Sequence, residues 1–83
     1  MKELKHFSAT WCQPCKAMEP TITKFLDENP EIAYTKYDAD SDVEVFKEFS
    51  ITGVPAFVIL EDGIVKNQHK GVANAEKFAN LFA

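Results

Sequence analysis

The most informative segment of the chain is Phe7-Ser8-Ala9-Thr10-Trp11-Cys12-Gln13-Pro14-Cys15-Lys16. It runs from a predicted strand into a predicted helix. It contains both cysteines of the chain. Two sulfurs at this spacing can close a small ring with little backbone motion. The free N–H groups and positive dipole at a helix start stabilise a thiolate, and they can lower a cysteine pKa from about 8.5. The spacing therefore indicates dithiol–disulfide chemistry at Cys12 and Cys15.

Hydrophobic periodicity along the rest of the chain predicts the order strand, helix, strand, helix, strand, strand, helix. The strands are predicted at Lys2–Ser8, Ile32–Asp38, Pro55–Leu60 and Ile64–His69. The first helix is predicted from Cys12 to about Asp27, with a kink at Pro20. A capping box at Ser41-Asp42-Val43-Glu44 predicts a short second helix, and Asn74 is expected to cap the last one.

The connections between these elements predict the topology. The first two strands, joined by a helix, should be parallel, whereas Asp62-Gly63 predicts an antiparallel hairpin between the last two. The apolar run Pro55–Leu60 is typical of a strand that is buried on both faces. The fold class is therefore α/β, a four-stranded mixed sheet with helices on both faces, in one domain spanning residues 1–83.

Charge and hydropathy narrow the function. The net charge is −4, and the nine Lys and Arg residues form no basic cluster, which argues against a nucleic-acid partner. The longest apolar run, Val54–Leu60, is too short for a membrane helix. Residues 1–6 are too charged for the apolar region of a signal peptide. We therefore expect a cytoplasmic monomer with no membrane partner.

The quoted stretch resembles the active-site segment of thioredoxins. Pro20 falls where that family kinks its active-site helix, and Thr52-Gly53-Val54-Pro55 looks like the family's cis-proline loop. Gly71 matches the glycine beside the family's substrate groove. The resemblance covers nearly the whole chain and implies a thioredoxin-like fold. The sequence begins at the active-site strand, so it looks like a minimal version, of glutaredoxin size, without the family's first strand and helix.

The resemblance implies a protein-disulfide reductase that binds no cofactor. Cys12 would attack a substrate disulfide, and Cys15 would resolve the mixed disulfide. Cis-Pro55 and the backbone of Val54 would hold the substrate chain. The remaining contact surface would comprise Trp11, Gln13, Pro14, Gly71 and Val72. Implied partners are a flavin- and NADPH-dependent thioredoxin reductase and targets such as ribonucleotide reductase.

The chain departs from the family pattern near the cysteines. His6 stands six residues before Cys12, where the family has a buried acid. A neutral imidazole there could accept the proton of Cys15, or His6 could be a core histidine without a kinetic role. Lys36 matches a family lysine near that acid, although a solvated strand lysine explains it as well. Gln13 replaces the usual glycine and could alter partner choice. Pro14 matches the family and offers Cys12 no N–H, which favours a reducing couple.

Three other functions fit parts of the pattern. A glutathione-dependent, glutaredoxin-like enzyme fits the chain length, but the Gln-Pro active site and the residues after Gly71 differ from that type. A binding module that uses the fold as a scaffold would not need both cysteines. A zinc site needs four ligands, and only His6 and His69 could complete the cysteine pair. We therefore expect no metal.

Overall fold

The computed structural model describes residues 1–83, which contain four strands and four helices. The strands are β1 (Lys2–Ser8), β2 (Ala33–Asp38), β3 (Ala56–Glu61) and β4 (Ile64–Lys70). The helices are α1 (Gln13–Ala17), α2 (Glu19–Glu28), α3 (Val43–Glu48) and α4 (Ala75–Leu81). The strand bounds differ from the predicted ones by one residue at β2, β3 and β4. No helix is both long and apolar enough to cross a membrane.

The strands form a single mixed sheet in the order β2-β1-β3-β4. The central strand β1 runs parallel to β2 and antiparallel to β3, and β3 is antiparallel to β4. His6 in β1 lies opposite Lys36 in β2 and Phe57 in β3. Strand β3 is apolar and buried along almost its whole length. The predicted mixed topology is therefore confirmed. The chain leaves the carboxyl end of β1 and enters the cysteine segment.

Helices cover both faces of the sheet because the side chains of β1 and β3 alternate between them. On one face Leu4, Phe57 and Ile59 pack against Ile22 and Phe25 of α2 and against Phe78 and Leu81 of α4. On the other face Phe7 and Val58 pack against Val45 and Phe46 of α3. The α2–α4 face is the one that holds His6, since His6 stacks on Phe57 at 4.8 Å between ring centroids.

Two local predictions are confirmed. The β3–β4 hairpin turns at Asp62 and Gly63, whose φ angles of 54° and 82° are the positive values that a tight hairpin turn requires. Asn74 caps α4, because its Oδ1 accepts the backbone N–H of Lys77 at 2.8 Å.

The prediction of one continuous first helix is wrong. Helix α1 ends at Ala17 and α2 begins at Glu19, with Met18 between them as the cap of both. Pro20 lies in the first turn of α2, where a missing N–H costs no intrahelical hydrogen bond. A proline in a helix interior would break one such bond and clash with the preceding turn, so α1 ends and α2 begins just before Pro20.

The predicted capping box is also wrong. The N-cap of α3 is Asp42 rather than Ser41, and no side chain caps this helix. The Asp42 carboxylate instead accepts the backbone N–H of Asp38 at 2.8 Å, and the Asp38 carboxylate accepts the N–H groups of Asp40 and Ser41. Through these hydrogen bonds Asp38 and Asp42 stabilise the turn between β2 and α3.

Candidate active site

Cys12 and Cys15 are joined by a disulfide at the start of α1, just beyond the end of β1. Their Cα atoms are 5.3 Å apart. Cys12 is the N-cap residue, and its Sγ accepts the backbone N–H of Cys15 at 3.2 Å. An N-cap side chain bonds to the second or third N–H of its helix, and here the second residue is Pro14, which has none. The Cys15 N–H is therefore the one backbone donor at Cys12.

The two cysteines differ in access to solvent. Cys12 is 5% exposed and Cys15 is 1% exposed, and both pack against Ala9 and Val54. Trp11, directly before Cys12, is 63% exposed, so it is a surface aromatic rather than part of the core. Of the two sulfur-bearing residues, Cys12 is the more accessible to an incoming molecule.

The Val54–Pro55 loop packs against the disulfide and is itself joined to the loop after β4. The Val54–Pro55 peptide bond is cis, and Val54 is the residue of this loop that packs against the cysteines. The N–H of Gly71 donates to the carbonyl of Pro55 at 2.8 Å and joins the two loops. Gly71 has a φ of +93°, a conformation that glycine adopts without the cost that a Cβ would bring.

The remaining predicted contact residues are on the surface. Gln13 and Pro14 are exposed in the first turn of α1. Val72 is 61% exposed, beyond Gly71. The next residue, Ala73, donates its N–H to the Sδ of Met18 at 3.3 Å, which attaches this loop to the α1–α2 junction. The predicted contact residues thus lie at the start of α1 and just before it, in the Val54–Pro55 loop, and in the loop after β4.

His6 is fully buried in the middle of the sheet, on the central strand β1. Its Nδ1 lies 3.0 Å from the hydroxyl of Tyr34, and its Nε2 has no hydrogen-bond partner. Burial, with a smaller contribution from the positive charge of Lys36, lowers the pKa of His6 from 6.5 to about 4. The imidazole is therefore neutral at pH 7, with one buried nitrogen unpartnered.

Lys36 lies opposite His6 across the β1–β2 pair, on the same face of the sheet. Its Nζ forms an ion pair with Glu19 at the start of α2. Both side chains are 45% exposed, so the pair lies at the edge of the buried site rather than inside it. Lys36 is therefore neither an isolated solvated lysine nor a hydrogen-bond partner of His6.

Two side chains near His6 were missed in the sequence. Tyr34 contacts the His6 imidazole, and burial raises the pKa of its hydroxyl to about 12. Glu19 supplies the carboxylate that pairs with Lys36. The alternation of β2 was a usable signal, because Tyr34 and Lys36 are two residues apart and so share a face. Nothing local marked Glu19, whose position depends on how α2 packs on the sheet.

The histidines do not join the cysteines. His69 is half-buried, and its Nε2 lies 3.0 Å from the carbonyl oxygen of Val72. No group of three or more His, Cys, Asp or Glu side chains is placed to hold a metal ion.

The sheet order and the disulfide at the helix start together define the thioredoxin fold class. A family model described as thioredoxin matches residues 2–83, and the chain belongs to that family. Thioredoxin-2 of Pyricularia oryzae is 40% identical over 80 residues, which are 96% of this chain and 46% of the relative. The thioredoxin of Fasciola hepatica superposes with a TM-score of 0.89 at 27% identity, covering 98% of this chain and 78% of the other.

A second curated relative, the mitochondrial thioredoxin-3 of Saccharomyces cerevisiae, is 42% identical over 57 residues. That match covers 69% of this chain and 45% of the relative. The chain therefore spans about half the length of these two curated relatives.

Proposed function

We propose that this chain reduces protein disulfides through the Cys12–Cys15 dithiol. The observation that carries the proposal is the position of Cys12 at the helix start, where its sulfur receives the N–H of Cys15 beside an exposed surface. A sulfur that accepts a backbone N–H is stabilised as a thiolate, and the thiolate is the nucleophilic form. Cys12 is therefore the attacking residue, since it is also the more exposed of the two.

The reaction has two exchanges. In the first, the Cys12 thiolate attacks one sulfur of the substrate disulfide, a mixed disulfide forms, and the other substrate sulfur leaves as a thiolate. In the second, the Cys15 thiolate attacks the Cys12 sulfur, and the remaining substrate sulfur leaves. The substrate gains two electrons, and the chain is left with the Cys12–Cys15 disulfide seen in the structure.

Cys15 must lose its proton before the second exchange, and His6 is the proposed acceptor. The neutral imidazole is buried in β1, the strand that leads into the cysteine segment, and no hydrogen bond occupies its Nε2. A base held neutral by burial is ready to accept a proton at pH 7, whereas an imidazolium would not be. Tyr34 orients the ring through Nδ1, and we assign Lys36 a positioning role through its charge.

The substrate chain is proposed to lie along the Val54–Pro55 loop. The backbone N–H and C=O of Val54 form no backbone hydrogen bond, so both are free to pair with an extended substrate segment. Trp11, Gln13 and Pro14 would contact the segment on one side, and Gly71 and Val72 on the other. The solvent exposure of Trp11 and Val72 supports this surface.

Partners, oligomeric state and compartment follow from the same proposal. The oxidised chain would be recharged by a flavin- and NADPH-dependent thioredoxin reductase, and ribonucleotide reductase represents the expected target class. We propose that residues 1–83 act as one monomeric domain in the cytoplasm. A single pair of cysteines three positions apart is typical of redox chemistry in a reducing compartment, whereas a structural disulfide framework links distant elements. Sedimentation across a concentration series and localisation of the tagged chain test these two points.

Trapping the mixed disulfide tests the reaction. The reduced Cys15→Ser chain, mixed with a disulfide-bonded protein, should form a covalent adduct that dithiothreitol releases. The matched Cys12→Ser chain should form none, because its remaining thiol is buried. An adduct of equal yield with Cys12→Ser would contradict the assignment of the nucleophile. Turnover by a double Cys→Ser variant would contradict the reaction itself.

A further inference from the structure

A groove of about 190 Å³ borders the Val54–Pro55 loop, which packs against the disulfide. Its lining residues include a positively charged side chain and no negatively charged one. One wall is the loop from Ile51 to Pro55, and the other is the carboxyl end of β4 from Gln68 to Gly71. The groove is continuous with the cysteines, because Val54 lines it and also packs against them. A peptide segment that pairs with the Val54 backbone while its disulfide reaches Cys12 would therefore have this groove beside it.

Lys70 is the only Lys, Arg, Asp or Glu among the residues that line the groove. Its side chain is exposed and takes part in no ion pair. It lies opposite Ala56 in the β3–β4 register, one residue after cis-Pro55. The neighbouring His69 has its Nε2 at the Val72 carbonyl and its ring stacked on Phe57. The cation is thus uncompensated in a chain whose net charge is −4.

From this arrangement we propose that Lys70 sets substrate specificity, by selecting polypeptides that carry a carboxylate side chain beside the reacting disulfide. The inference rests on the proposed reductase function. A glutamate or aspartate near the substrate cysteine would meet Lys70 at the rim of the groove, whereas a lysine would be repelled. Charges at the rim of an interface mainly discriminate between partners and affect encounter rates. The acidic carboxylates outside the groove would add repulsion against acidic proteins at long range, so Lys70 acts only on the local sequence.

The expected effect is modest, because the ion pair would be solvent-exposed. Exposed pairs correspond to about a two- to fivefold change in rate or affinity at low salt, and the effect falls as ionic strength rises. The probes are three synthetic disulfide peptides that are identical except for Glu, Gln or Lys beside the reactive cysteine. The measured quantity is the second-order rate constant with which each peptide oxidises the reduced chain, which requires no reductase.

The reduced wild-type chain should react about two- to fivefold faster with the Glu peptide than with the Gln peptide, and slowest with the Lys peptide. Lys70→Ala should abolish the ratio of the Glu to the Gln rate constant, and Lys70→Glu should invert it. Lys66→Ala is the matched control, since Lys66 is also on β4 but pairs with Glu61 away from the groove, and it should keep the wild-type ratio.

The outcomes separate the inference from the function on which it rests. Equal rate constants for all three peptides, or an unchanged ratio in Lys70→Ala, would overturn the role of Lys70 while leaving the reductase intact. Reaction with none of the peptides would overturn the reductase and the inference with it. A Lys70-dependent preference for glutathione disulfide without any preference among the peptides would also overturn the inference, because the charge would then serve a small disulfide instead.

Discussion

The imidazole Nδ1 of His6 lies 3.0 Å from the hydroxyl of Tyr34, and this contact is formed between neighbouring parallel strands in the protein interior. The hydroxyl and the imidazole satisfy each other at Nδ1, which leaves Nε2 without a partner. A buried polar atom without a hydrogen bond is costly, so an unpartnered nitrogen in the strand that leads into the dithiol segment calls for a functional explanation. Proton transfer during the exchange supplies one, and several measurements follow from it.

The stability of the fold should depend on pH through His6. Its pKa is lowered to about 4 in the folded chain, so between about pH 6.5 and pH 4 the unfolded chain binds a proton that the folded chain does not. The free energy of unfolding should therefore fall as the pH drops through this window, by about 3 kcal/mol at most. Denaturant titrations of wild type and His6→Gln measure it, and the difference between them should shrink towards pH 4.

A Leu4→Val chain is the control for that experiment, because it alters the same core without removing an ionisable group. It should follow the wild-type pH dependence. A constant difference between wild type and His6→Gln from pH 7 to pH 4 would show that His6 titrates alike in both states.

The second exchange should slow when His6 is replaced by Asn. Ellman's reagent forms a mixed disulfide at Cys12 and releases one thionitrobenzoate, and attack by Cys15 then releases the second. Loss of a positioned general base lowers a rate by about 10²-fold in typical cases. His6→Asn should therefore delay the second release and remove one ionisation from its pH profile, while Tyr34→Phe should have a smaller effect. Wild-type resolution by His6→Asn at every pH would mean that His6 is only a core residue.

Lys36 and Glu19 should shift the His6 pKa in opposite directions. The positive charge of Lys36 lowers the pKa of His6 and the negative charge of Glu19 raises it, although burial is the dominant cause. Lys36→Gln should therefore raise the His6 pKa, and Glu19→Gln should lower it, in an NMR titration of the His6 ring protons. Each variant should lose less than about 1 kcal/mol of stability, because the pair is half-exposed. Shifts of the same sign in both variants would contradict this arrangement of charges.

Pro14 should keep the dithiol reducing. Because Pro14 donates no N–H, the Cys12 sulfur receives only the Cys15 N–H. Pro14→Ala restores a donor and Pro14→His adds an imidazole as well, so both stabilise the thiolate of the reduced form. A hydrogen bond to a charged group corresponds to about 30–60 mV for a two-electron couple, so the reduction potential should rise by about that amount, and further for His. An unchanged reduction potential in Pro14→His would contradict the interpretation that Pro14 keeps the dithiol reducing.

Much of the fold was predictable because its signals are local. The alternation in β1 and β2, the apolar run of β3 and the Asp62-Gly63 turn each specify an element within a few residues. The prediction failed where two local rules compete. At Pro20 the periodic apolar pattern predicts that the helix continues, but proline cannot donate a backbone hydrogen bond. The helix is therefore interrupted just before it. At Ser41 the sequence matches a capping box, but the N-cap residue is Asp42, whose carboxylate accepts the backbone N–H of Asp38.

The candidate site divides in the same way. Cys12 and Cys15 were predicted from one contiguous motif, and the Val54–Pro55 loop was predicted from its resemblance to the family's pattern. The pairing of Lys36 with Glu19 and the exposure of Lys70 in the groove were not, because they depend on which helix and which loop pack beside each strand. Sequence spacing fixes the face on which a side chain lies, but its partner from another element is set only by tertiary packing.

The reduction potential of the Cys12–Cys15 couple distinguishes a protein-disulfide reductase from an oxidant or isomerase. The chain would be equilibrated with a thiol–disulfide buffer of known potential, and its free thiols would be trapped and counted. A protein-disulfide reductase with proline in place of a thiolate-stabilising donor should have a potential near or below about −230 mV. A potential near or above about −180 mV would instead indicate an oxidant or isomerase, and would contradict the proposed function.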